Sequence, residues 1–170
     1  MFKKYQIAFV CFLSFSTFMF SFNKSSIDSN NFIYPSNISY TSSNFGYREL
    51  FGKVNYHNGV DFPVPQGSEV YATLSGVVTY ADFTKTGYGN TIILLHSNGL
   101  KTLYAHLSET FIVKLGDNVV KGDVIGYVGP KILSNGKTNG NTTGPHLHFS
   151  IFNRDAIAID PFSFKYEKRE

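Results

Sequence analysis

Four of the five histidines lie in motifs suited to metal-assisted hydrolysis. His57 precedes Asp61 by four residues in H-N-G-V-D. His146 and His148 flank one leucine in T-G-P-H-L-H-F, and His106 lies in Y-A-H-L. Two neutral imidazoles and one carboxylate form a hydrolytic zinc ligand set, and two further histidines would remain to move protons. Each motif alone also fits surface histidines or a surface ion pair, so the prediction depends on their combination.

The elements that carry these motifs are predicted to be strands. The composition, with 17 Phe, 11 Tyr and 15 Gly, favours strands and tight turns, and no segment has a long helical period. We therefore expect an all-β fold built around an antiparallel sheet. Strand-length apolar runs lie between turn residues at Glu69–Thr73, Gly76–Ala81, Asn90–His96, Lys101–Leu107, Phe111–Lys114, Asp123–Val128 and His146–Phe152.

Alternation along the last of these strands predicts which side chains are accessible. Residues two apart share one face of a strand. Leu147, Phe149 and Ile151 form a wholly apolar face, which we expect in the core. His146 and His148 fall on the other face, which we expect to be accessible.

A hairpin is predicted around Asn98-Gly99, because Asn-Gly between two apolar runs is a strong hairpin signal. A two-residue loop would pair His96 with Lys101 and Thr91 with His106. His96 would then lie roughly 17 Å from His106 and on the opposite face. We therefore assign His96 no catalytic role.

The second strand of this hairpin also alternates. Leu103, Ala105 and Leu107 resemble a core face, and Tyr104 and His106 share the face opposite. This pattern predicts that Tyr104 and His106 both lie on the polar side of the sheet.

A weak internal repeat suggests duplicated hairpin-like units. Gly67–Val70 followed by Gly76–Val78 resembles Gly116–Val119 followed by Gly122–Gly126. Two copies of one glycine-paced unit would make a compact antiparallel structure. Ordinary turns in a glycine-rich β protein explain the pattern equally well.

The N-terminal region predicts export. A basic start at Lys3 and Lys4 precedes an apolar run from Ile7 to Phe22. We interpret residues 1–22 as a signal peptide; an uncleaved N-terminal membrane anchor is the alternative. The serine- and asparagine-rich residues 23–40 are expected to be a linker, residues 41–170 a catalytic domain, and Lys165–Glu170 a solvated tail.

Net charge and cysteine content narrow the possible binding partners and the possible metal ligands. Without residues 1–22, 13 basic residues face 12 acidic ones, so nucleic acid is not an expected partner. The single cysteine, Cys11, lies in the apolar run. The exported part therefore has no disulfide or thiolate site, and any metal must be held by histidines and carboxylates.

Taken together, these motifs resemble the M23 zinc metallopeptidases of the lysostaphin and LytM type. The shared motifs are H-x-x-x-D, G-x-x-V with Y-G-N, Y-A-H-L, G-D-x-V-x-x-G-x-x-I-G and T-G-P-H-L-H-F, and Asn44–Arg48 resembles the opening F-G-x-R. They occur in the family's order over about Ser43 to Phe162. The resemblance implies an antiparallel β fold with a groove over the metal.

The resemblance also implies roles for individual residues. His57, Asp61 and His148 would bind one Zn2+, and His106 and His146 would be the catalytic histidines. The implied reaction is endopeptidase cleavage of cross-links or stem peptides of bacterial peptidoglycan. The implied location is the periplasm or cell envelope.

The chain departs from the family pattern in two places. Ser150 stands where many members have glutamate, which puts in doubt a groove contact or a partner of a metal ligand. Residues 130–142 are longer than the usual link, and we expect a mobile loop at the groove rim that shapes substrate choice. Two further residues are possible substrate-binding residues. Arg48 could bind a substrate carboxylate, and the alternative is a surface ion pair with Glu49 or another acid. Tyr104 could contact the substrate carbonyl, and the alternative is a tyrosine packed in the sheet.

Two other functions compete with a peptidase. The first is a catalytically silent M23-like module that binds the cell wall or activates other wall hydrolases; the complete histidine set argues against it. The second is a sugar-phosphotransfer carrier that uses paired histidines for phosphate, against which the export signal and the His57/Asp61 pair argue.

Overall fold

The computed structural model describes residues 31–50 and 52–169, and it is almost entirely β-structure. No α-helix occurs in these residues; the 3-10 helix Pro161–Ser163 is the one helical segment, and none could cross a membrane. The expected signal or anchor at residues 1–22 lies outside the described residues. The strands are β1 (Asn31–Ile33), β2 (Gly46–Leu50), β3 (Lys53–His57), β4 (Val60–Phe62), β5 (Glu69–Tyr71), β6 (Gly76–Thr84), β7 (Gly89–His96), β8 (Lys101–Ala105), β9 (Asn118–Val119), β10 (Val124–Tyr127), β11 (Leu147–Phe152), β12 (Ala158–Ile159) and β13 (Lys165–Glu167).

A seven-stranded antiparallel sheet organises the fold. Its order is β12-β11-β8-β7-β6-β9, and β4 pairs separately with β11. This confirms the all-β, antiparallel prediction. The expected strand at Phe111–Lys114 is wrong, because these residues form a bend that leads into the turn at Leu115 and Gly116.

The β7–β8 hairpin differs by one residue from the predicted register. Leu95 pairs with Lys101 and Ile92 with Tyr104, and the His96 amide donates to the Leu100 carbonyl at 2.9 Å. The loop therefore has three residues rather than two. Gly99 takes a φ of 85° within it, which is the conformation that a three-residue hairpin requires at its last position.

Both faces of β8 are buried: Leu103 and Ala105, predicted for the core, are 4% and 0% exposed, but Tyr104, predicted for the polar side, also lies in the core. Tyr104 is fully buried in the core, where its ring lies 5.3 Å from that of Phe149. Its hydroxyl forms hydrogen bonds with Thr73 and Thr102, and burial raises its pKa. The possible role of Tyr104 in substrate binding is therefore wrong, because no face of the ring reaches the groove.

The face of β11 predicted to enter the core does so. Leu147, Phe149 and Ile151 are each 0% exposed. The opposite face is not open, since His148 is 5% exposed and Ser150 is 0% exposed. Neighbouring segments cover it, so the site lies in a recess rather than on an open sheet surface.

The internal repeat is present as two interlocked units. β5 of the first unit pairs with β10 of the second, and β9 of the second pairs with β6 of the first. The backbone bonds match as well: Gly67 donates to Val128, and Gly116 donates to Val78, each at 2.8 Å. Each unit thus completes the other instead of forming a hairpin by itself.

The expectation of a linker at residues 23–40 and a solvated C-terminal tail is wrong for the segments that form β1 and β13. These strands pair in parallel. Phe32 is completely buried, with its ring 4.8 Å from Phe164 and 5.7 Å from Tyr166. Residues 31–33 therefore belong to the folded domain, which begins before Thr41.

Candidate metal centre

Strand pairing brings the predicted metal ligands together. In the β4–β11 ladder, Asp61 lies directly opposite His148. His57 ends β3, and Asn58-Gly59 connects it to β4. A side chain on Gly59 would collide with the carbonyl of Phe149, 2.4 Å from the position of its Cβ, so glycine permits this close approach.

The distances between the three ligand atoms fit a tetrahedral zinc ion. Asp61 Oδ1 lies 3.2 Å from His57 Nε2 and 2.9 Å from His148 Nδ1, and the two nitrogens are 3.0 Å apart. Zinc bonds of 2.0–2.1 Å at tetrahedral angles would separate ligand atoms by about 3.3 Å. The site is thus consistent with one Zn2+.

The outer sides of these ligands are also occupied. His57 Nδ1 donates to the Asn44 carbonyl at 2.8 Å, and His148 Nε2 lies 2.8 Å from the Ser150 hydroxyl. In the tautomers that carry their protons on these outer nitrogens, two imidazole lone pairs and a carboxylate oxygen converge inside the site. A cation would satisfy such a cluster.

Electrostatics favour the metal-binding protonation states of two ligands. Burial opposes ionisation of Asp61, but hydrogen bonds from His148 and His57 outweigh it and hold the Asp61 pKa well below its usual range. Burial lowers the pKa of His148, although the Asp61 carboxylate opposes this shift. An ionised carboxylate and a neutral imidazole are the forms that bind zinc.

His106 and His146 lie side by side next to the three ligands. Their ring centroids are 4.6 Å apart, and His106 lies 6.1 Å from His148. Both bind a backbone carbonyl through Nδ1: His106 that of Asn139 at 2.7 Å, and His146 that of Gly144 at 2.9 Å. Each therefore keeps Nε2 on the other side of the ring, and that of His146 lies 3.6 Å from Asp61 Oδ1.

His106 reaches this position by an unusual backbone conformation. β8 ends at Ala105, and His106 has a φ of 59°. Continued alternation would send His106 to the same side as the buried Tyr104. The left-handed conformation breaks that alternation, which explains why simple strand alternation cannot place both residues. Burial, with a contribution from His146, lowers the His106 pKa to about 4.

Arg48 binds a metal-ligand candidate instead of Glu49. Its Nη1 donates to Asp61 Oδ2 at 3.1 Å and also to the Ser43 hydroxyl. This contact leaves Asp61 Oδ1 directed at the histidines. Arg48 lines the groove as well, so its predicted contact with a substrate carboxylate stays a prediction.

His96 does not line the described groove, and the absence of a catalytic role for it stays a prediction. It is 4% exposed, and its ring nitrogens contact the Ser75 carbonyl at 3.0 Å and the Thr102 hydroxyl at 2.8 Å. Burial lowers its pKa.

Sequence reasoning missed several groove residues. Tyr88 belongs to the Y-G-N motif, its hydroxyl accepts a hydrogen bond from Asn58, and its ring lies 5.4 Å from His148. That motif was the available signal. The described groove is lined by Arg48, Tyr56, His57, Asn58, Asp61, Thr86, Gly87, Tyr88, His106, Asn141, Thr143, His146 and His148.

Comparisons with known proteins agree with this geometry. Residues 55–161 match the model of Peptidase family M23. DD-carboxypeptidase/endopeptidase Mpg of Neisseria meningitidis is 43% identical over 110 residues, which cover 64% of this chain and 23% of Mpg. Peptidoglycan DD-endopeptidase ShyA of Vibrio cholerae is 38% identical over 116 residues, 66% of this chain and 25% of ShyA.

A solved structure is also similar. A zinc-containing peptidase from Vibrio cholerae aligns with a TM-score of 0.59 and 35% identity, covering 76% of this chain and 39% of that one. The chain spans about a quarter of the length of the curated relatives given above.

Proposed function

Because the chain belongs to peptidase family M23, we propose that it is a zinc-dependent endopeptidase that cleaves peptide cross-links or stem peptides of bacterial peptidoglycan. One observation carries this proposal: His57 Nε2, Asp61 Oδ1 and His148 Nδ1 converge within 3.2 Å of one another, beside two more histidines. The name of the similar ShyA protein supports the choice of substrate.

His57, Asp61 and His148 would hold the zinc ion. Bound zinc would supply a Lewis acid for the scissile carbonyl and lower the pKa of a coordinated water. His106 donates Nδ1–H to a carbonyl and is kept neutral by burial, so its Nε2 is suited to accept the proton of the attacking water.

His146 would assist the reaction as the second catalytic histidine, from the more exposed side of the groove. Its side chain is 17% exposed, and its Nε2 lies 3.6 Å from Asp61 Oδ1. As an imidazolium it would stabilise negative charge on the substrate oxygen or give a proton to the leaving amine. The Tyr88 side chain lines the same groove and would contact the substrate near this position.

The proposed location is the cell envelope. Residues 1–22 would direct export and, if uncleaved, would anchor the domain to the cytoplasmic membrane. The folded domain that follows would then act on the wall from outside that membrane.

A digest of purified peptidoglycan tests the proposal. The zinc-loaded protein should release fragments with the masses expected for hydrolysis of a peptide bond, and a chelator should stop their release. The matched control is His106→Ala. A zinc-loaded, folded wild-type protein that releases no fragments would instead support the catalytically silent module.

A further inference from the structure

The segment 130–142, expected to be a mobile rim loop, is tied to the catalytic site. Ile132 and Thr138 form a β-bridge, and the Asn139 amide donates to the Lys131 carbonyl at 2.9 Å. Leu133 is 5% exposed and Asn139 is 0% exposed. A segment with buried side chains and paired backbone is a structural support rather than a free loop.

Asn139 is held by three side-chain hydrogen bonds. Its Oδ1 accepts from the Asn90 amide at 2.9 Å. Its Nδ2 donates to the carbonyl of Leu107 at 2.9 Å and to that of Pro130 at 3.2 Å. A fully buried amide with both ends satisfied fixes the backbone to which it belongs.

The Asn139 backbone contacts the His106 ring directly. The Asn139 carbonyl accepts the Nδ1–H of His106 at 2.7 Å. His106 holds a φ of 59°, an uncommon conformation that surrounding contacts must maintain. Asn139 binds Leu107, the next residue, so it contacts the strained segment through both its side chain and its carbonyl.

Close backbone packing next to Asn139 adds to this restraint. The Asn141 amide donates to the Gly87 carbonyl at 2.6 Å. A Cβ on Gly140, which has a φ of 78°, would lie 2.2 Å from that same carbonyl. The segment is therefore fixed against the turn before β7, and Gly87 in that turn lines the groove.

We propose that Asn139 is a positioning residue for catalysis: its buried amide fixes the carbonyl that holds His106 in the Nδ1–H tautomer with Nε2 facing the groove. This inference rests on the proposed function of His106. Aligning a proton acceptor within the site is worth one to two orders of magnitude in rate in comparable supporting positions.

Asn139→Ala in the full, zinc-loaded chain tests the proposal. We expect kcat to fall about 10- to 100-fold, with KM and zinc stoichiometry near their wild-type values. Nitrogen-15 NMR should find His106 in the Nδ1–H tautomer in the wild type and a mixture of tautomers in the variant. His106→Gln assigns the signals.

Asn135→Ala is the matched control. Asn135 belongs to the same segment and is exposed, and its side chain accepts a local hydrogen bond from the Lys137 amide at 3.0 Å. We expect wild-type kcat and tautomer for this variant. If Asn139→Ala does not fold, Asn139→Asp keeps the size of the side chain and removes the donors to Leu107 and Pro130, and the same changes are expected.

A folded Asn139 variant with wild-type kcat and an unchanged His106 tautomer would overturn the proposal. Failure of the proposed function is distinguishable, because the tautomer measurement needs no turnover. An inactive wild type would contradict the peptidase assignment, whereas a tautomer that depends on Asn139 would still support the structural link.

Discussion

Asp61 and His148 face each other across the β4–β11 ladder, and their side chains meet with Oδ1 and Nδ1 2.9 Å apart. Residues that are 87 positions apart in the chain thus become direct cross-strand neighbours. The contact between these two metal-ligand candidates depends on the strand register, since a one-residue slip would turn one of the side chains to the opposite face of the sheet.

The partner of His148 on its outer side is the Ser150 hydroxyl. We expect Ser150→Ala to weaken zinc binding about 10- to 100-fold, because His148 loses the contact that fixes its ring and tautomer. Competition with a chelating dye measures the zinc Kd. Ser97→Ala, at an exposed turn, is the control. Equal zinc affinities in the two variants would show that Ser150 has no such role.

Arg48 has two candidate roles that one substitution separates. If Arg48 orients Asp61 through Oδ2, Arg48→Met should weaken zinc binding by about tenfold. If it binds a substrate carboxylate instead, zinc affinity should be unchanged and KM should rise. We expect the first result. Arg154→Met, which removes an exposed arginine elsewhere, controls for the change in net charge.

His96 should contribute to acid sensitivity. Burial lowers its folded pKa below the unfolded value of about 6.5, so below that pH the unfolded state binds more protons. Its contribution to stability is complete above pH 6.5 and declines as pH falls. Between pH 7.5 and 5.5, His96→Gln should therefore lose less stability than the wild type. Urea unfolding of both proteins at the two pH values measures this difference, and an equal loss of stability in both proteins would contradict the prediction.

The pairing of β1 with β13 makes residues 31–33 part of the folded domain. Because Phe32 is fully buried against Phe164 and Tyr166, Phe32→Ala should lower the free energy of unfolding by about 3–5 kcal/mol. Phe162→Ala removes the same side chain from a position that is 42% exposed and should cost much less. Equal melting temperatures for the two variants would argue that β1 adds nothing to stability.

The sequence predicted what depends on residue type and short-range pattern. Alternation identified the apolar face of β11, and the glycine-paced units indicated the duplication. Pattern-based prediction failed where a single residue alters the backbone path. A third loop residue shifted the β7–β8 register by one. The left-handed backbone of His106 placed its side chain on a different side from Tyr104. Pairing of β1 with β13 and the bonds of Asn139 join segments distant in the chain, so no local pattern could predict them.

Zinc content measured alongside peptidoglycan turnover tests the central claim most directly. Purified His148→Ala should lose zinc and activity together, because it removes one of three converging ligand atoms. His106→Ala should retain one zinc per chain and lose turnover, since His106 acts beside the metal. If both variants kept zinc and full activity, the assignment of this site would be contradicted.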